Sequence, residues 1–338
     1  MDKTFKKLLE HCVKHHFVAP SGDRFALLGN LLRRNITDEW YTQNVSSVGG
    51  TVLTCDREGG FPLTLDLLGD YREARSLLGS DEDIVLAGET LTQSEPTPQS
   101  CLSLHHFTLP ARKMDSFSSV QKRRRLWWKS FSHQPELLAV SSSSDLSPGL
   151  EQKIEITSPA LPDSPLETIS LWKPEIFDNL EMDESLKGRI LLKWQRKSTW
   201  PCLITCQLAT ERATWFFLAD AFSKGRASPL SLHHALAPFK VGVVVSSAVN
   251  CERTSELDDL GRLFRQQMHK MRIPLLPPSA QWSVQQCDAR AVPFLVFLQE
   301  ETLDNGICHI RSRDTGLKVQ VHVSEVVQRI SQLLQPKR

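Results

Sequence analysis

The sequence predicts an α/β (α+β) protein whose C-terminal third is a compact module of strands and helices around a mixed sheet. Three observations predict it. A β-branched run, Val241 to Val245, follows Pro238 and reads as a strand buried on both faces. Leu257, Leu260, Phe264, Met268 and Met271 then recur at helical spacing on one face. A second apolar run, Val292 to Leu298, precedes a segment in which Ile307, His309 and Arg311 alternate with Cys308, Ile310 and Ser312, as in a strand with one solvated side.

Length and composition frame the rest. A chain of 338 residues should form about two domains, each with its own core. Hydrophobic content of 40% and charged content of 23% are those of an ordinary soluble protein, and no apolar run reaches the length of a membrane span. The formal net charge is +1, so any nucleic-acid-binding surface must be local. Eight cysteines are scattered without a disulfide or zinc spacing, and reduced thiols are expected. The opening MDKTFKKLLEHC carries acidic residues early and lacks Arg and Ser enrichment, unlike a mitochondrial presequence.

Taken in order, Phe5, Leu8, Leu9, Cys12, Val13 and His16 define a first helix, stopped by Pro20-Ser21-Gly22. A second runs from about Arg24 to Tyr41, with Leu27, Leu28, Leu31, Leu32, Ile36 and Trp40 as its buried face and Arg33 and Arg34 solvated. Strand material between Val45 and Asp56 is broken at Gly49-Gly50. The stretch from Arg75 to Ser100 turns acidic at Ser80 to Asp83, then polar with Pro96 and Pro98. It sustains no helical periodicity long enough for a pair of bundle helices. Cys101 to Leu109 reads as a strand ending at Pro110.

Ala111 to Phe131 holds seven basic residues (Arg112, Lys113, Lys122, Arg123, Arg124, Arg125 and Lys129) against one acid, Asp115. On a helix, Leu126, Trp127 and Phe131 would pack inward while Arg124, Arg125 and Lys129 face water or phosphates. Two readings stand side by side: a sequence-independent contact to a duplex backbone, and a solvated basic face on a packed helix. A nuclear-import tag is a third, disfavoured by the two tryptophans.

The serines and prolines from Gln134 to Pro165 build no core, and a flexible loop is expected at about 134–166. Leu191, Leu192 and Trp194, then Cys202, Ile204 and Cys206, read as paired strands, and Cys206 to Phe222 as a buried helix entered through Glu211-Arg212. In the last third, Ser255 with Asp258 forms a capping box for the helix through Phe264. Asp304-Asn305-Gly306 supplies a turn with positive φ. Lys318 to Val323 is a last strand, and Ser324 caps a closing helix with Val326, Val327, Ile330, Leu333 and Leu334 inside.

The phrase G-x-x-x-x-R-x-R-D-T, carried by Gly306, Arg311, Arg313, Asp314 and Thr315, followed by a strand and an amphipathic helix, resembles the anticodon-binding domain of class IIa aminoacyl-tRNA synthetases. His233, Leu236, Ala237, Pro238, Lys240 and Val241 ahead of it, Leu32, Asn35 and Trp40 in the second helix, and Lys122 to Phe131 resemble the accessory subunits of mitochondrial DNA polymerase. The resemblance implies two domains. Residues 1–228 would be a degenerate class II synthetase-like antiparallel-sheet domain, and residues 229–338 an anticodon-binding-like domain with a mixed sheet.

An active synthetase is argued against by the residues. Thr210-Glu211-Arg212 resembles the end of synthetase motif 3, yet Gln207-Leu208-Ala209 supplies no glycine to let backbone approach a nucleotide. His105-His106 stands where a motif 2 arginine–glutamate pair would be sought, which leaves ATP phosphates without their counter-charges. His11, Cys12, His15 and His16 fit no closed metal pattern. No catalytic residue, metal or cofactor is expected.

What the resemblance implies is a non-catalytic processivity subunit of a mitochondrial replicative polymerase, acting in the matrix nucleoid, with the import signal internal, degenerate or outside this chain. Its partners would be the catalytic subunit and double-stranded DNA, with no membrane. Lys122, Arg123, Arg124, Arg125 and Lys129 would contact DNA. Gly306, Arg311 and Arg313, with Arg262 and Arg265 on the stripe that also carries His269 and Arg272, would face the catalytic partner; internal pairing of Arg311 and Arg313 with Asp314 or Glu301 is the alternative. The helical insertion that forms a homodimer bundle in vertebrate relatives has no counterpart of sufficient length, so a monomer is expected. A synthetase-like enzyme and a free tRNA-binding module are the competing functions.

Overall fold

The computed structural model describes residues 3–45, 51–54, 57–58, 63–79, 83–92, 99–143, 148–222, 230–245, 253–278 and 282–335. Gly49-Gly50, Ser80 to Glu82, Pro96 and Pro98 lie outside them. The chain runs α1 (Lys3–Lys14), α2 (Leu27–Val45), β1 (Thr51–Thr54), β2 (Arg57–Glu58), α3 (Leu65–Leu78), β3 (Ile84–Thr92), β4 (Gln99–Thr108), α4 (Lys113–Phe131), β5 (Ala139–Ser142), β6 (Leu150–Thr157) and β7 (Glu167–Trp172). It continues with α5 (Glu184–Ile190), β8 (Leu192–Trp194), β9 (Lys197–Thr199), β10 (Cys202–Ala209), α6 (Thr210–Ala221), β11 (Val241–Val245), α7 (Thr254–Lys270), α8 (Val284–Ala289), β12 (Phe294–Leu298), α9 (Glu300–Asn305), β13 (Ile307–Ser312), β14 (Lys318–His322) and α10 (Val326–Leu334). The expected fold class is the one found: a mainly antiparallel sheet first, a mixed sheet at the C-terminal end.

Two compact units divide the chain, residues 36–216 and residues 1–35 with 217–338. The first 35 residues thus group with the C-terminal segment, whereas the sequence places them in the N-terminal domain. Long-range polar contacts explain the difference. Asn35 donates to the carbonyls of Leu236 and Ala237 at 3.1 and 2.8 Å, and His11 Nε2 lies 3.1 Å from the Ala289 carbonyl.

Residues 36–216 build an eight-stranded sheet in the order β1-β3-β4-β10-β7-β6-β5, with β2 also beside β3. From β3 to β5 every neighbouring pair is antiparallel; β1 and β2 run parallel to β3. Strand alternation separates two cores. Phe107, Leu203 and Trp172 share one face by register, where α3 packs and Tyr71 stacks on Phe107 with centroids 4.2 Å apart. Glu167, Ile169 and Leu171 point to the other face, which α4 covers.

The 134–166 segment is corrected by this sheet: it contributes β5 and β6, registered strand against strand from Ala139↔Thr157 to Ile156↔Glu167. Asp145 and its neighbours 144–147 lie outside the described residues. Leu192 and Trp194 pair in β8 with β9, not with the strand carrying Cys202 and Cys206, which lies between β4 and β7. Between α3 and α4 the described residues hold the β3–β4 hairpin, from Ile84↔Phe107 to Thr92↔Gln99, and a 3₁₀ turn at Pro110–Arg112.

In the other unit the sheet order is β11-β12-β13-β14, parallel for the first pair and antiparallel for the next two. Phe294, Val296 and Leu298 join α7 and α10 on one face, while Leu295 and Phe297 pack with Cys287 of α8 on the other. That two-sided burial is why Val292 to Leu298 carries no polar residue. Local details differ from the sequence reading. Arg253, not Ser255, precedes α7, Met271 is exposed, and Ser324 sits in a single 3₁₀ turn ahead of α10 rather than capping it. Leu27 is likewise exposed at the start of α2.

Candidate functional site

Helix α4 sorts the basic run by side. Arg124 is 2% exposed, and its Nε donates to Glu167 Oε1 at 2.6 Å; the other carboxylate oxygen accepts from Trp128 Nε1, also at 2.6 Å. The guanidinium also lies 4.8 Å from the Trp127 ring centroid and 5.7 Å from that of Trp40. Arg124 therefore points into the core, and Leu126, expected inside, is 54% exposed. The physical reason is the carboxylate. Burying Glu167 on a sheet face demands a cation and a second donor, and one helical turn supplies both.

What remains outward is narrower than the run suggests. Lys122 and Arg125 are exposed and Lys129 half-buried, and their spacing places the three on one stripe of α4. Arg123 is half-buried, and desolvation lowers its pKa. At the helix start Lys113 is held by both oxygens of Glu151, at 2.6 and 2.8 Å, and Arg112 lies 4.0 Å from Asp83.

Arg212, which ends the motif 3-like phrase, is engaged by the chain itself. Arg212 Nη2 donates to the Leu161 carbonyl at 2.8 Å and also to that of Ser164, so it tethers the segment entering β7. Where a motif 2 pair would stand, His106 Nε2 lies 3.1 Å from Asp83 Oδ2, and Thr108 and Ser116 donate to the same carboxylate at 2.9 and 3.3 Å. Burial acts to raise the Asp83 pKa, but the donors from His106, Thr108 and Ser116 outweigh it and the net shift is downward. No sequence pattern marks this cluster, whose members come from β4, α4 and the residue before β3.

In the C-terminal sheet, Arg311 makes a two-pronged contact with Asp288, at 2.8 and 2.9 Å. Arg313 is buried; its guanidinium donates to the carbonyls of Ala291 (2.8 Å) and Leu232 (2.6 Å) and to Asp314. Both arginines are thus internal struts that fix the sheet end, and Asp288, not Glu301, is the acid of Arg311. Its separation of 23 residues left no local signal. Gly306 ends α9 at φ +70°, and a β-carbon there would stand 2.7 Å from His322 Nε2. On α7 Arg262 is exposed and paired with Asp259, while Arg265 is half-buried beside Gly261.

Among the described residues no group of three or more His, Cys, Asp or Glu side chains could hold a metal, and no helix is long and apolar enough to cross a membrane. His15 is pushed down to about 4, first by burial and then by His11 and nearby cations, and burial raises the Cys12 thiol to about 12.

The C-terminal segment carries the first match. Residues 243–333 match the family described as "Anticodon binding domain", the module that the Gly306 to Thr315 phrase resembles. More of the chain is similar to named proteins. It is 24% identical to "DNA polymerase subunit gamma-2, mitochondrial" of Drosophila melanogaster over 70% of each chain. The Xenopus laevis protein of the same name is 27% identical over 61% of this chain and 46% of its own. The Mus musculus "DNA polymerase subunit gamma-2" is 28% identical over 66% of this chain and 51% of its own. The chain therefore spans about half the length of those two vertebrate relatives.

Proposed function

We propose that this chain is a non-catalytic accessory subunit of a mitochondrial DNA polymerase, binding the catalytic subunit and adding cationic contacts to duplex DNA. The observation that carries the reading is the similarity to gamma-2 subunits over about two thirds of the chain. On this reading Lys122, Arg125 and Lys129, flanked by Arg123, meet phosphates without sequence preference, and Arg124 positions the helix from within. The C-terminal sheet docks the polymerase. Arg311 and Arg313 shape that end, Gly306 sets its turn, and Arg262 faces outward from α7 with Arg265 half-buried one turn on. A second attachment raises the effective concentration of polymerase at the primer end and slows departure with no new chemistry. The site of action is the mitochondrion, at its DNA.

Primer extension by a mitochondrial polymerase catalytic subunit tests it. Products should lengthen when the protein is added, and the gain should fade as salt rises. Failure to associate with the catalytic subunit, with product length unchanged, overturns the reading. The anticodon-binding match favours a second reading, a tRNA-binding module; it would show as preference for one tRNA over duplex DNA in competition. Amino-acid-dependent ATP–pyrophosphate exchange would establish the synthetase alternative instead.

A further inference from the structure

The C-terminal sheet ends on an open strand. Its order stops at β14, and Leu317 and Val319 beside that edge are 68% and 49% exposed. The direction of the main-chain groups follows from two bonds. Ser312 N–H donates to the Leu317 carbonyl at 3.0 Å and Val323 N–H to the Gly306 carbonyl at 2.8 Å. With the register Arg311↔Lys318 to Ile307↔His322, residues 317, 319, 321 and 323 turn their amides and carbonyls toward β13. The amides and carbonyls of Lys318, Gln320 and His322 therefore face away from the sheet. A groove of about 420 Å³ runs along this edge, lined by four consecutive strand residues, Val319 to His322, and by the outer stripe of α10 with Glu325 and Arg329. Consecutive strand residues can line one groove only if it opens on the backbone edge, since successive side chains leave opposite faces.

We infer that this edge docks an extended segment of another protein, one that alternates apolar and acidic side chains and joins the sheet as a fifth strand. The face chemistry selects that occupant. Val319 and Val321 share the α10 side, and alternate apolar side chains of an added strand would cover the exposed part of Val319. Lys318, Gln320 and His322 share the opposite side, where the Lys318 ammonium lies 4.6 Å from the Phe297 ring centroid. Among the described residues neither Lys318 nor Arg329 pairs with a carboxylate, and the groove's own acid is Glu325. Glu325 and Arg329 balance each other on the α10 side, so acidic side chains on the other side of the incoming strand complement the Lys318 ammonium. A second copy fits less well, because antiparallel pairing centred on Gln320 sets Lys318 against His322 twice. The inference does not rest on the polymerase reading.

The experiment uses the whole protein, isotopically labelled, and a seven-residue synthetic peptide alternating valine and glutamate. Saturable shifts are expected at the amides of Lys318, Gln320 and His322, with slowed hydrogen exchange at those three positions. Gln320→Pro removes an amide that faces away from β13, so the ladder stays intact while the edge is blocked. It should weaken the peptide by about tenfold or more, and Gln320→Ala should not. Should the proline variant fail to fold, Lys318→Glu carries the test and should reverse preference toward a valine–lysine peptide. Undiminished binding by Gln320→Pro, shifts that map elsewhere, or no binding at all overturns the inference. So does a self-associated protein whose sedimentation mass halves on Gln320→Pro, which would make a second copy the occupant.

Discussion

Arg124 and Glu167 form an ion pair sealed inside the protein, Nε to Oε1 at 2.6 Å, with side chains 2% and 0% exposed. It converts the most basic stretch of the sequence into an amphipathic helix whose central arginine is a core residue. The carboxylate holds two groups at once, because Trp128 donates its indole N–H to the second oxygen.

Glu167→Ala should therefore be the most destabilising single change in this region. It strands a guanidinium and an indole N–H together, at a cost of about 3–5 kcal/mol. Arg124→Met with Glu167→Leu should recover part of that, remaining about 1–3 kcal/mol below the unaltered protein because Trp128 still lacks its acceptor. Chemical denaturation of the three proteins measures both steps. If Glu167→Ala unfolds at the same denaturant concentration as the unaltered chain, the pair is not a core element.

Lys122, Arg125 and Lys129 behave oppositely. Alanine at each should leave stability within about 0.5 kcal/mol. Each should also lower the slope of log affinity for duplex DNA against log salt by about 0.9, whatever the DNA sequence. Binding titrations across a salt series read this directly. Slopes that match the unaltered protein would remove α4 from the DNA surface.

The contrast shows what the sequence could convey. Short-range patterns were legible: the β-branched run of β11, the two-sided burial of β12, the alternation in β13 and the glycine that ends α9 all depend on neighbours a few residues away. Which side of α4 faces inward was not legible, because it is set by a carboxylate 43 residues downstream. Strands β5 and β6 were hidden for a related reason. β5 is a fully exposed edge strand, so serines serve there as well as apolar residues, and only its pairing with β6 makes it a strand. Arg311 and Arg313 show the reverse case: the motif was plain, but the partners Asp288 and the Leu232 carbonyl decide that they brace the sheet.

Gly306→Ala should destabilise by about 1–2 kcal/mol, since φ at that residue is +70° and alanine resists the left-handed region. A second contribution comes from the His322 ring, 2.7 Å from where the new β-carbon would stand. Combining Gly306→Ala with His322→Ala separates the two. The double variant should lose less than the sum of the singles, by about 0.5 kcal/mol or more. Strict additivity would leave only the backbone effect.

Acid should weaken the protein before its carboxylates titrate. Burial pushes His233 down to about 4, helped by His234, Lys240 and Arg313 and opposed by Asp314. His233 Nδ1 accepts from the Ala235 N–H at 3.2 Å, a bond that only the form unprotonated at Nδ1 can make. The folded state thus keeps the ring neutral, while the unfolded chain takes up a proton near the ordinary histidine value of about 6.5. Unfolding then binds about one proton more per such histidine, so stability falls as pH drops from about 6.5 toward 4 and is level above that window. His15, also pushed down to about 4, contributes in the same direction. Denaturant midpoints measured from pH 7.5 to 4.5 should decline through that window, and His233→Gln should flatten part of the decline. An unchanged profile in His233→Gln would mean that the ring is protonated in the folded protein, and would sink the assignment.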